Sequence, residues 1–137
     1  MRTTIAIALL ATLSASVFAE QDRWVRLDNG PSDIAYYMDA KTVKVEGDYR
    51  KAWFMVSFKR PQKGVQWTQF KPFKSMVAEQ YIQCSKHQLA PLRVVYYEGE
   101  QASGDSLGTQ RYPTQEFEDA IPGSAGEVMI TAPCLFQ

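Results

Sequence analysis

The sequence is poor in the residue types on which most enzymes and metal sites depend. It contains one histidine, His87, and two cysteines among its 137 residues. A structural zinc site needs four nitrogen or sulfur ligands, so His87 is expected to be a surface residue or a capping residue. The glycine patterns of phosphate-binding loops and dinucleotide sites are also missing. We therefore expect no cofactor and no bound metal.

Excess charge of one sign and long apolar runs are missing as well. Fifteen Lys and Arg side chains balance fifteen Asp and Glu side chains, whereas nucleic-acid-binding domains usually carry a strongly basic face. We expect no nucleic-acid partner. The N-terminal apolar run, Ile5 to Leu13, is far shorter than the roughly 20 residues of a membrane-spanning helix, so no transmembrane segment is expected.

This apolar run has the flanks of a secretory signal peptide. Arg2 precedes it and small residues lead from it to Ala19, which is the order of charged, apolar and cleavage regions. We predict a signal peptide over residues 1–19 and one domain over residues 20–137, a usual size for a single core. The residue after the predicted cleavage site is Glu20 and not cysteine, so no lipid anchor is expected. The protein is predicted to be periplasmic or secreted.

The two cysteines, Cys84 and Cys134, are expected to form a disulfide, because an exported protein folds in an oxidising compartment. The bond would close a loop of roughly 50 residues, which the chain-entropy estimate values at about 4 kcal/mol.

The pattern of the mature chain predicts strands separated by turns. β-Rich runs occupy residues 23–27, 34–38, 42–46, 49–59, 75–84, 92–98 and 106–112. Several short strands at this spacing are typical of a mostly antiparallel sheet or a small barrel. The run over residues 49–59 is apolar on both faces for part of its length, which predicts a central strand.

The sequence pattern near the C-terminus predicts one helix. Ser124 followed by Glu127 fits a capping box, and Pro133 ends the pattern, so a helix is predicted over residues 125–132. So short a helix is marginal alone, and the disulfide would tie it to the sheet. The predicted fold is mainly β (α+β), with about six antiparallel strands and a short C-terminal helix tied by one disulfide.

One motif resembles the sequence patterns that surround a catalytic serine. Gly104-Asp105-Ser106-Leu107-Gly108 matches the nucleophile-elbow pattern and the opening block of the GDSL esterases. Both families place the catalytic histidine after the serine, but His87 precedes Ser106. We interpret the segment as a loop of ordinary turn residues. No sequence pattern supplies an acid–base partner for the carboxylates near Glu98 and Glu116. No catalytic residue is therefore predicted.

The segment from Lys59 to Lys74 interleaves basic and aromatic side chains. Such a surface suits a polyanion, a glycan or a protein partner. The alternative is an edge loop whose lysines discourage strand pairing while its aromatic rings cover the core. The tyrosine pairs 36–37 and 96–97 each place one ring on each face of the sheet. The candidate partner-binding residues are Trp67, Lys71 and Tyr97.

Several pieces of the sequence form a recognisable series along the mature chain: residues 24–27, 36–39, 45–48, Trp53, 59–61, Ser75 with Cys84, 96–97, and 121–127 ending at Cys134. Taken together, they resemble the surface-adhesin protein E family of Gram-negative bacteria. The resemblance covers almost the whole mature chain and lies in the order and spacing of the pieces. It implies a six-stranded antiparallel sheet with a C-terminal helix and a non-enzymatic protein. It also implies binding to host matrix or plasma proteins and an ability to form a homodimer.

These observations predict a small exported binding protein without catalysis that acts on a protein partner. Three other hypotheses stay open. The chain could be a periplasmic inhibitor that inserts the loop from Ala102 to Gly108 into an enzyme such as lysozyme, an esterase that uses Ser106, or a structural component of the envelope.

Overall fold

The computed structural model of this chain describes residues 23–28 and 32–137, and the predicted signal peptide lies outside these residues. Within them the chain forms eight strands and one α-helix. The strands are β1 (Trp24–Arg26), β2 (Ile34–Asp39), β3 (Lys44–Glu46), β4 (Tyr49–Gln62), β5 (Phe73–Gln83), β6 (Gln88–Tyr97), β7 (Ser106–Arg111) and β8 (Glu118–Asp119), and the helix is α1 (Ala125–Thr131).

All strand pairs are antiparallel, and the main strand order is β1-β2-β4-β5-β6-β7. The short strands β3 and β8 pair with β4 and β6 respectively. The prediction of an antiparallel sheet of about six strands is confirmed. Because β1 and β7 are the two ends of this order, the sheet is open and is not the small barrel of the alternative interpretation.

The longest strand, β4, lies in the middle of the sheet, as predicted. Ala52, Phe54 and Val56 point to one face and pack into the main core with Ile82. Met55, on the opposite face, is also only 3% exposed. A strand that is apolar on both faces for part of its length needs neighbours on both sides, and β2 and β5 provide them.

The helix α1 covers one face of the sheet. Its Met129 and Ile130 side chains are buried in the same core as Phe54 and Ile82. We call this side the helix face and the other side the open face. The predicted disulfide is confirmed: Cys84 and Cys134 are bonded, with their Cα atoms 5.7 Å apart.

The predicted capping box at the start of α1 is wrong in its partners. The Ser124 side chain makes no capping hydrogen bond. The Glu127 carboxylate accepts instead from the backbone N–H of Gly123, at 2.6 Å. Gly123 has a left-handed φ of 77°, and the chain turns there so that its amide, one residue earlier than expected, meets the carboxylate.

No helix in the described part of the chain combines the length and the apolar character that crossing a bilayer requires.

Candidate functional site

The connection between β4 and β5 displays the most exposed aromatic rings among the described residues. We call residues 63–72 the aromatic loop. Phe70 is 75% exposed and Trp67 is 38% exposed, and both Lys63 and Lys71 are exposed beside them. Two of the predicted site residues, Trp67 and Lys71, therefore lie in one loop.

A single buried threonine holds the aromatic loop together. Thr68, which ends the 3-10 turn Gln66–Thr68, is 0% exposed. Its Oγ1 accepts a hydrogen bond from the Val65 N–H at 3.0 Å and lies 2.8 Å from the carbonyl oxygen of Lys71, to which it can donate. The Phe70 N–H donates to the Val65 carbonyl at 2.9 Å. These bonds close the loop on itself without help from a partner.

Two glycines allow the aromatic loop to pack tightly. A Cβ atom at Gly64 would overlap the backbone carbonyl of Phe70, and one at Gly108 in β7 would overlap the carbonyl oxygen of Trp67. The loop is thus fixed both internally and against β7. Gln69 and Phe70 take left-handed φ values of 52° and 60°. Such a backbone is unfavourable for a bulky side chain, and strain of this kind clusters at functional sites.

Tyr97 lies on a different surface from Trp67 and Lys71. Gly108 pairs with Tyr96, and directly paired residues share a face, so the Trp67 backbone lies on the helix-face side of the sheet with the Tyr96 side chain. Tyr97 follows Tyr96 and points to the open face, where it is half-buried. The structure brings together two of the three predicted residues and separates the third.

The open face carries a charged cluster that the sequence patterns did not reveal. The Glu79 carboxylate, which is 8% exposed, forms salt bridges with Lys51 Nζ at 2.9 Å and with Arg93 Nε at 2.7 Å. The Arg93 guanidinium lies over the Trp53 ring, 4.6 Å from its centroid. Burial alone would raise the pKa of Glu79, but the hydrogen bonds from Lys51 and Arg93 outweigh it and hold the pKa below its usual value. Glu79 is therefore ionised near neutral pH.

The turn after β6 is fixed to two buried serines of the open face. Ser57 Oγ accepts from the Gln101 N–H at 3.0 Å, and Ser75 Oγ accepts from the Ala102 N–H at 2.8 Å. The tip that follows, residues 103–105, is exposed. The loop considered for enzyme inhibition therefore has a rigid base and a tip of three residues, because residues 106–108 already belong to β7.

Ser106 and His87 lie too far apart to act together. Ser106 pairs with Tyr97 at one end of β6, and His87 precedes Gln88 at the other end. Ten residues of strand span about 30 Å, whereas a serine and its general base must lie within hydrogen-bond reach. Among the described residues, no three His, Cys, Asp or Glu side chains are grouped closely enough to hold a metal ion.

Comparison with known proteins gives a family and a fold. The family model described as surface-adhesin protein E matches residues 24–135. A search of curated protein sequences found no match.

Three solved structures of Haemophilus influenzae protein E are similar in fold. One superposes with a TM-score of 0.57 at 14% identity and covers 91% of this chain and 90% of that chain. Crystal form II gives 0.56 at 13% identity, covering 93% and 96%. The selenomethionine form gives 0.52 at 14% identity, covering 72% and 78%.

Proposed function

Because this chain belongs to the surface-adhesin protein E family, we propose that it is an exported, non-enzymatic protein that binds a protein partner through its aromatic loop. The observation that carries the proposal is the exposure of Phe70 and Trp67 on a loop fixed by the buried Thr68. Large apolar side chains exposed together on a rigid support are typical of an interaction surface.

The rigidity of the aromatic loop favours binding over a purely structural role. A loop that only covers the core would bury its aromatic rings. Phe73, at the start of β5, is buried in this way, and its ring lies 5.0 Å from that of Tyr96. Phe70 contributes little to the core at 75% exposure. A side chain that is already positioned loses less conformational entropy when it binds. Aromatic anchors of this kind commonly contribute about 2 kcal/mol or more to a protein interface.

The proposed partner is a host protein of the extracellular matrix or plasma, which is the class expected for this family. Lys63 and Lys71 beside the aromatic rings would favour a partner surface with acidic groups, because complementary charge speeds association and selects partners. The proposal includes the signal peptide over residues 1–19 and a location in the periplasm or outside the cell.

Binding to immobilised laminin and vitronectin, as representative matrix and plasma proteins, tests the proposal. The protein lacking residues 1–19, with its disulfide intact, is compared with the variants Phe70→Ala and Trp67→Ala by surface plasmon resonance. Each variant is expected to weaken binding by about 30-fold, which corresponds to about 2 kcal/mol. The matched control is Ile121→Ala, because Ile121 is similarly apolar and 72% exposed but lies outside the loop. It should bind like the wild type.

Two outcomes would contradict the proposal. The first is equal binding by Phe70→Ala, Trp67→Ala and the wild type. The second is the absence of host-protein binding together with capture of a cell-wall hydrolase that is lost on Asp105→Ala. That second result would support an inhibitor acting through the exposed tip at residues 103–105, whose base is held by Ser57 and Ser75.

A further inference from the structure

The charged cluster on the open face forms the wall of a cleft of about 330 Å³. Its lining residues are Thr42, Lys44, Lys51, Trp53, Glu79 and Arg93. We propose that this cleft binds carboxylate groups of an acidic peptide segment, with Arg93 as the main contact. The cleft lies on the opposite face of the sheet from the Trp67 backbone, and the inference does not depend on the role of the aromatic loop.

Arg93 is positioned with donors to spare. Its Nε atom donates to Glu79 and its guanidinium lies over Trp53, so the planar group is held from two sides. Its terminal nitrogens, Nη1 and Nη2, have no hydrogen-bond partner among the described residues. The Arg93 side chain is 40% exposed, so a ligand can reach these nitrogens. A guanidinium held in this way is suited to the two oxygens of a carboxylate.

The surroundings of the cleft carry more positive than negative charge. Lys44 stands directly opposite Lys51 in the β3–β4 pair, and Arg93 stands directly opposite Arg111 in the β6–β7 pair. Like charges in directly opposite positions destabilise a sheet. Glu79 is the one carboxylate that lines the cleft. Of the nearby carboxylates, Asp39 is already paired with Arg23 at 2.7 Å, and Glu46 lies close enough to Lys51 to help raise its pKa. A bound anion would reduce the repulsion between the cations, which Glu79 and Glu46 only partly offset.

A β-bulge brings the cluster together. Gln80 pairs with Pro91, whereas its neighbour Glu79 pairs with Arg93. Leu92 is therefore the extra residue. If the register of residues 88–91 continued without a bulge, Leu92 would stand opposite Glu79 in place of Arg93. Bulges redirect side chains and are common beside functional sites.

The residue composition of the cleft favours a peptide carboxylate over a sulfate or phosphate. The cations are too few for the basic stripe that binds a polyanion. Arginine and tryptophan together are also typical of the residues that dominate protein interfaces.

Titration with small acidic peptides tests the inference on the whole mature protein. The probes are acetyl-Glu-Glu-amide and the uncharged acetyl-Gln-Gln-amide at constant ionic strength, followed by NMR signals of the Trp53 indole and the Arg93 side chain. Saturable shifts are expected with the glutamate peptide only. Lys44→Gln should weaken binding at least threefold, and Arg93→Lys, which keeps the charge but loses the planar fork, at least fivefold.

Lys86→Gln is the matched control, because Lys86 is an exposed lysine in the turn between β5 and β6, away from the cleft residues. Lys44 is exposed on a three-residue strand, so its replacement should not disturb folding. The inference would be overturned if the glutamine peptide bound equally well or if Lys86→Gln weakened binding as much as Lys44→Gln. Tighter binding of inorganic sulfate than of the glutamate peptide would also overturn it, since it would indicate a general anion site.

Discussion

Replacing Thr68 with valine tests whether the aromatic loop is ordered before a partner binds. Valine keeps the branched shape of threonine but has no hydroxyl. In the wild type the hydroxyl serves the Val65 N–H at 3.0 Å and the Lys71 carbonyl oxygen at 2.8 Å. Because Thr68 is fully buried, water cannot easily take the place of the hydroxyl.

The size of the effect follows from these two hydrogen bonds. Removing one partner of a buried hydrogen bond costs about 1–3 kcal/mol, so we expect Thr68→Val to lower the free energy of unfolding by about 2 kcal/mol. For a domain of this size the corresponding fall in Tm is about 8 °C. If the loop then becomes mobile, ordering Trp67 and Phe70 on binding costs about 1 kcal/mol for each side chain. Affinity for the host protein should therefore fall by about 30-fold.

Three measurements characterise the Thr68→Val variant. Urea denaturation gives the change in stability, hydrogen exchange at the Phe70 amide reports the bond to the Val65 carbonyl, and surface plasmon resonance gives the affinity. Thr109→Val is the matched control, since Thr109 lies in the neighbouring strand β7 and no side-chain hydrogen bond is seen for it among the described residues. It should change stability by less than about 0.5 kcal/mol.

Unchanged exchange at the Phe70 amide in Thr68→Val would refute the view that the hydroxyl holds the loop. A clear loss of stability with unchanged affinity would refute the view that a preformed loop is needed for binding.

Two further predictions concern stability. Replacing Cys84 and Cys134 together with alanine removes a crosslink between residues 50 positions apart, and urea denaturation should show a loss of about 4 kcal/mol; a loss below about 1 kcal/mol would contradict it. Replacing Glu79 with glutamine should cost about 2 kcal/mol at pH 7, because two charged donors lose their carboxylate. Since the pKa of Glu79 is lowered in the folded state, its stabilisation is present above the usual carboxyl pKa of about 4 and is lost as the pH falls through the lower folded value. The difference between wild type and Glu79→Gln should therefore shrink on acidification, and a difference that stays constant from pH 6 to pH 2 would contradict this.

The strands could be predicted because their signals are local, and the disulfide because the chain has only two cysteines and a predicted signal peptide. Alternation with a period of two and turn residues marked the strands, and β4 could be recognised as central because Phe54 and Met55, adjacent in the chain, are both apolar and both buried. The helix start was predicted less well. The spacing of Ser124 and Glu127 was correct for a capping box, but the left-handed turn at Gly123 decides which amide the carboxylate meets. That turn depends on the surrounding fold and not on the spacing.

The binding surfaces depend on register, which the composition of a segment does not specify. Trp67, Lys71 and Tyr97 were chosen because each is aromatic or basic, yet the Trp67 backbone packs on Gly108 whereas Tyr97 points to the other face. The Glu79 cluster depends even more strongly on register, because a single extra residue, Leu92, places Arg93 opposite Glu79. A shift of one position exchanges the faces of a strand. If the regular register of residues 88–91 continued through residue 92, Leu92 and not Arg93 would stand opposite Glu79, and the ion pair would be lost although every charged residue stayed in the sequence.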